Sequence, residues 1–159
     1  MTSKSRQDGG GDDPFDLERF VSAQDRIYDR ALAELRSGRK RSHWMWFVFP
    51  QVEGLGHSST ARRYAIRSAK EAGRYLDHPV LGTRLVECAE ALLAVEGRSA
   101  SEILGYPDDL KLKSSMTLFE KAAGEGSVFT RVLEKYYGGE RDPETLRILA
   151  GLFTARGSP

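Results

Sequence analysis

Apolar side chains recur at helical spacing along most of this chain. In the stretch "DPFDLERFVSAQDRIYDRALAELRSG" they fall at Leu17, Phe20, Val21, Ile27, Tyr28, Ala31, Leu32 and Leu35, with Gln24 as the one polar member of the stripe. That i, i+3, i+4 recurrence predicts an amphipathic helix. Asp13 is a candidate N-cap, Pro14 suits the first helical position, and Gly38 can supply a left-handed cap. Further on, Ser68 with Glu71 and Ser99 with Glu102 have capping-box spacing. The first box opens a helix running to about Leu76, the second a short helix stopped by Gly105. Between them, Asp77 or His78 before Pro79 starts a helix whose stripe is Leu81, Leu85, Cys88, Leu92 and Val95. Pro107 and Asp108 open "DDLKLKSSMTLFEKAAG". Ser127 precedes a helix with Phe129, Val132, Leu133, Tyr136 and Tyr137 on one face, and Asp142 with Pro143 opens the last. The pattern predicts an all-α fold, one multihelical domain of about seven helices over residues 14–154.

"RKRSHWMWFVFPQ", Arg39 to Gln51, resists this reading because it mixes strand and helix features. A β-ribbon over residues 44–52 is the main alternative to an all-helical fold. "ARRYAIRS" reads as a short helix or an extended link. Residues 1–13 are polar and Gly-rich and are expected to be disordered, and residues 155–159 to fray.

Charge is close to balanced, 24 basic against 23 acidic side chains for a net +1, and no helix-turn-helix signature or basic face is visible in the sequence, so neither nucleic acid nor a membrane is expected as a partner. No apolar run approaches the length of a bilayer span, and no secretory signal opens the chain. Its one cysteine, Cys88, cannot form an intrachain disulfide. Together these point to a cytoplasmic protein. Phosphate-loop, nucleophile-elbow and H-E-x-x-H motifs are absent. A zinc site of His and Cys alone would need His43, His57, His78 and Cys88 together, at spacings unlike any zinc motif, so neither metal nor cofactor is expected.

Three stretches carry candidate chemistry. Trp44 and Trp46 crowd against Phe47 and Phe49, beside Arg39, Lys40, Arg41 and His43. Such a cluster is either core or the wall of a cleft in which a planar ligand stacks on Trp44 or Trp46. Gln51 could read the edge of a base, or cap loop backbone groups. In "GLGHSSTARRY", the loop from Gly54 to Ser59 followed by Arg62 and Arg63 could receive a phosphate, or be a plain connector. In "GYPDDLKLKSSMTLF", Lys111, Ser114, Ser115 and Thr117 could face a ligand, or bond back to the helix and allow close packing. Asp108, Asp109 and Glu53 are the candidate acid–base groups, and helix capping is the plainer role for the two aspartates.

These stretches, with "RFVSAQDRIYDRALAELRSG" and "EAGRYLDHPVLGTRLVEC", resemble a family of small bacterial proteins classed as a domain of unknown function. The match runs from about Phe15 to Leu149. Its members often carry the label calpastatin, although calpastatin is a disordered inhibitor and this chain is patterned to fold. The resemblance implies a compact all-helical domain and no established activity. The chain also loosely resembles a NAD- and ADP-ribose-related superfamily, some of whose members cleave N-glycosidic bonds. It departs from it in lacking a glutamate shortly after a tryptophan; the first acid after Trp46 is Glu53, beyond Pro50. From this follow two expectations: a domain binding a nucleotide or ADP-ribose-like molecule where the three stretches meet, or a non-enzymatic protein-interaction or structural domain.

Overall fold

Six aromatic rings run in contact through the protein: Phe47 to Tyr64 at 5.3 Å between centroids, Tyr64 to Phe20 at 5.9 Å, Phe20 to Tyr75 at 5.1 Å, Tyr75 to Phe119 at 5.2 Å, and Phe119 to Phe129 at 5.9 Å. Burying a ring such as Phe20 or Phe119 stabilises the fold by about 1.5–3 kcal/mol, and tilted or edge-on neighbours add to that. The helices are arranged around this run. The computed structural model describes residues 13–157, with side chains to residue 151.

Ten helices occur among the described residues: α1 Glu18–Asp25, α2 Tyr28–Ser37, α3 Met45–Val48, α4 Ser59–Arg63, α5 Ala69–Asp77, α6 Leu81–Ala94, α7 Ala100–Leu104, α8 Asp108–Ala123, α9 Val128–Tyr137 and α10 Pro143–Gly157. The all-α expectation holds, but the count of about seven is too low. Three elements make the difference. The first long helix is two, interrupted at Arg26 and Ile27, where Ile27 leaves helical geometry at φ −124° and ψ −9°. The stretch "MWFV" is a short helix, and so is "STARR", which overlaps the segment read as a short helix or an extended link and begins two residues before it. In place of a ribbon over residues 44–52 there is one isolated parallel bridge, Val52 with Ile66, and no strand among the described residues.

Local chemistry sets most boundaries. Asp13 does cap, but α1 starts later than expected: its carboxylate accepts from Leu17 N–H (2.7 Å) and Glu18 N–H (3.0 Å), leaving Pro14 in the preceding turn. Gly38 ends α2 at φ 79°. Ser99 and Glu102 form the complete capping box of α7. Ser68 caps α5, but Glu71 turns to Arg67 N–H and Arg19 instead of closing a box. His78 Nδ1 opens α6 by accepting from Val80 and Leu81 N–H at 3.1 and 3.2 Å. Ser127 occupies the N-cap of α9 without making the cap hydrogen bond. Of the expected termini, residues 1–12 lie outside the described residues, and the backbone of residues 155–157 continues α10.

The central element is α8, which packs against α5, α7, α9 and α10; α6 packs on α2, α5 and α9, and α3 on α1. Gln24, the polar member of the first stripe, is buried where α1 ends. Its amide donates to Phe47 O (2.7 Å) and Tyr75 Oη (3.1 Å), and its carbonyl accepts from Arg84 (3.3 Å). A lone buried amide is costly unless paired. Paired in this way, it ties α1 to α3, α5 and α6 and fixes α3 at the edge of the core.

Candidate functional site

The site begins with a carboxylate that the sequence pattern did not single out. Glu34, on α2, is 9% exposed. It accepts from the N–H groups of Arg41 (2.9 Å) and Ser42 (3.0 Å), from Ser42 Oγ (2.6 Å) and from Trp44 Nε1 (2.8 Å). Burial raises its pKa, but the hydrogen bonds from Ser42, Arg41 and Trp44 outweigh that and hold it at about 2. The residue-39-to-44 loop is thereby wrapped around one anion. Glu34 lies three residues after Ala31 and next to Leu35, on the margin of the apolar stripe, and that position was its only signal in the sequence.

Trp44 is consequently core. It is 0% exposed, its indole N–H is spent on Glu34, and Lys40 Nζ stands 5.2 Å from its ring centroid. No ligand can stack on it in this structure, which corrects its assignment as a binding residue. Two positions later the geometry differs. The helical turn of α3 buries Met45 and Val48 and leaves Trp46 and Phe47 half-buried at the rim.

Trp46, Gln51, Glu53, Arg62 and Tyr64 line one recess beside α4. Lys111, from the first turns of α8, places Nζ 5.1 Å from the Trp46 ring centroid. Its neighbour Asp108 is shared by two lysines, Lys40 at 2.8 Å and Lys111 at 3.6 Å. A tryptophan face, an amide, an arginine, a glutamate and a lysine therefore meet at one place. The recess itself has a volume of about 20 Å³, room for roughly one water. Any larger ligand must lie across its rim.

Other expected members are elsewhere. Ser114 bonds Leu110 O and Asp142 at 3.3 Å, and Thr117 bonds Lys113 O (2.8 Å) while accepting from Asp142 N–H (2.9 Å). Both serve the junction of α8 with α10. Ser115 is fully buried with no hydrogen-bond partner. None of the three hydroxyls reaches the recess, which corrects their assignment as ligand contacts. Ser58 Oγ takes the Ala61 N–H at 3.1 Å, so that donor of α4 is not offered to a phosphate. Arg63 is exposed, with its guanidinium 5.5 Å from the Tyr64 ring centroid. Asp109 accepts from Leu110 N–H (2.9 Å) and Ser101 Oγ (2.6 Å), tying the first turn of α8 to α7, while the N-cap position itself is Pro107 and has no side-chain cap. Glu53 is exposed at the recess rim, 3.9 Å from Arg67. No group of three or more His, Cys, Asp or Glu able to hold a metal occurs among the described residues.

A family model described as "Protein of unknown function (DUF1810)" matches residues 14–149. The chain belongs to that family. Among solved structures it is similar to the crystal structure of the conserved hypothetical protein Rv1873 from Mycobacterium tuberculosis, with 56% identity and a TM-score of 0.85, over 87% of this chain and 99% of that one. No curated protein matches. The DUF1810 match spans every element of the recess, from α2 through α8, so the recess lies within the family domain. Among the described residues no helix is long and apolar enough to cross a membrane.

Proposed function

We propose that the domain binds a small anionic ligand with a planar group, nucleotide-like in chemistry, across the rim of the Trp46 recess. One observation carries this: Lys111 sits on the ring of Trp46 while the same ring shares a recess with Gln51 and Arg62. The half-buried indole offers a stacking surface, Gln51 a donor and acceptor pair, and Arg62 and Lys111 the positive charge. Lys111 is held by Asp108 more loosely than Lys40 is, 3.6 against 2.8 Å, so it is the lysine free to turn to an incoming anion. The proposal assigns binding rather than turnover to the site: Asp108 serves the lysines, Asp109 is taken up by Ser101, and Glu53 is the one acid on the rim.

The test is a titration of the intact chain with AMP, ADP and ADP-ribose, read by tryptophan emission. Saturable quenching below millimolar ligand is expected, lost in Trp46→Phe and weakened about fivefold in Lys111→Ala, the loss of one cation of about 1 kcal/mol. Unchanged emission up to millimolar concentrations of all three overturns it. A protein-interaction domain is the second reading, favoured by Tyr106 in the turn before α8 and Leu110 in its first turn, 80% and 50% exposed. There a partner recovered at stoichiometric amount by the intact chain would be lost in the double variant Tyr106→Ser, Leu110→Ser.

A further inference from the structure

The segment from Gly54 to Leu76 contains a single acidic residue, Glu71, and its charge does not reach the surface. Glu71 is 1% exposed, paired with Arg19 at 2.9 Å and bonded to Arg67 N–H at 2.9 Å. The same segment exposes Arg62, Arg63, Arg67, Lys70 and Arg74. Among the described residues only Arg67 of these five makes an ion pair, at 3.9 Å to Glu53, with both side chains more than half exposed. A loose, solvated pair of this kind holds little. In a chain of net charge +1 this is a local excess, not a general one.

The cations form a band that starts at the recess. Arg62 lines it, and Glu53, which also lines it, touches Arg67. Lys70 follows three residues on and Arg74 four more, so these two share a face of α5 about 6 Å apart along its axis. That step suits successive phosphates of an extended strand.

We infer that this band binds single-stranded nucleic acid, with one nucleotide at Trp46 and the neighbouring phosphates along Arg62, Arg67, Lys70 and Arg74. The inference rests on the nucleotide reading of the Trp46 recess. Stacking rings beside a cationic track are the usual means of holding a single strand without reading its sequence, and Trp46 and Tyr64 supply the rings. A membrane surface fits less well. It calls for apolar side chains that enter the bilayer, and the exposed large apolar residues, Tyr106 and Leu110, lie in the turn before α8 and in its first turn rather than in the band. A duplex fits less well too. Its grooves admit a protruding helix, whereas α5 lies with Ala72 and Tyr75 sealed against the core.

The experiment is fluorescence anisotropy of a dye-labelled decathymidylate with the intact chain, from 50 to 200 mM salt. Phosphate contacts at these four cations give a log–log salt slope of about −2.8, at roughly 0.7 per contact. The triple variant Arg67→Gln, Lys70→Gln, Arg74→Gln changes only exposed side chains. It is expected to fold unchanged by circular dichroism, to weaken oligonucleotide binding at least tenfold and to reduce the slope by about 2. The same variant keeps mononucleotide quenching of Trp46. An oligonucleotide that binds no tighter than a mononucleotide, and is indifferent to the triple substitution, overturns the inference and leaves the nucleotide reading standing. Full-strength oligonucleotide binding by Trp46→Ala overturns both. Preference for phosphatidylserine vesicles over the oligonucleotide overturns the inference in favour of a membrane surface.

Discussion

Glu34 and Cys88 show how burial sets the chemistry of single residues. Glu34 carries four hydrogen bonds from the residue-39-to-44 loop, so Glu34→Gln removes a charge-assisted acceptor that nothing nearby replaces. A loss of about 2–3 kcal/mol is expected in urea unfolding. The pH dependence has a fixed sign. The carboxylate is more acidic folded than unfolded, so its contribution is complete above the ordinary carboxylate range near 4.5 and declines as pH falls toward about 2. The Gln variant should show a flatter stability profile across that window. Cys88 is fully buried, and burial pushes its thiol up to about 12. Maleimide should leave native protein unlabelled and modify one thiol per chain once urea unfolds it; rapid labelling of folded protein would contradict the packing of α6.

Between elements, two glycines separate backbone constraint from helix propensity. Gly82 in α6 faces the end of α5 so closely that an added Cβ would stand 2.0 Å from Leu76 O, whereas at Gly73 in α5 nothing lies within 4 Å. Alanine favours both helices by up to about 1 kcal/mol. Gly73→Ala should therefore raise the midpoint of unfolding slightly, and Gly82→Ala should lower stability by more than about 2 kcal/mol, because backbone cannot move aside. The sequence disclosed elements of this kind well when their boundaries were set by neighbours in the chain. Ser99 with Glu102, Gly38 and Asp142 announced helix ends because a cap is a local hydrogen bond. The break at Ile27 was not legible. The apolar stripe continues through it, and the bonds that fix it, from Gln24 to Phe47 and Tyr75, span 23 and 51 residues. Trp44 and Trp46 could not be told apart for the same reason. What buries Trp44 is Glu34, on another helix, and what leaves Trp46 at the rim is the turn of a four-residue helix whose pattern is too short to show a period. Lys111 was legible as a candidate, but its meeting with Trp46 joins α3 to α8, which only the tertiary fold brings together.

At the scale of the molecule, three buried glutamates each hold an irregular segment to the helices. Glu34 gathers the loop before α3, and Glu71 takes Arg67 N–H and Arg19 at the start of α5. Glu120 takes Arg141 and Thr130 Oγ1, joining the segment before α10 to the start of α9. Its hydrogen bonds with Arg141 and Thr130 outweigh burial and lower its pKa, in the same direction as that of Glu34. Arg19 completes the second of these junctions. Its guanidinium donates to Arg63 O, Phe15 O, Asp16 O, Ala65 O and Glu71, a bond for each of its N–H groups. Two of those acceptors come from the short turn ahead of α1, and this marks where the smallest independently folding piece can begin. A fragment starting at Asp13 keeps all five acceptors. One starting at Leu17 has every helix intact yet leaves a buried guanidinium short of partners, and should unfold at a distinctly lower denaturant concentration. Four residues outside any helix thus decide whether the ten helices hold together.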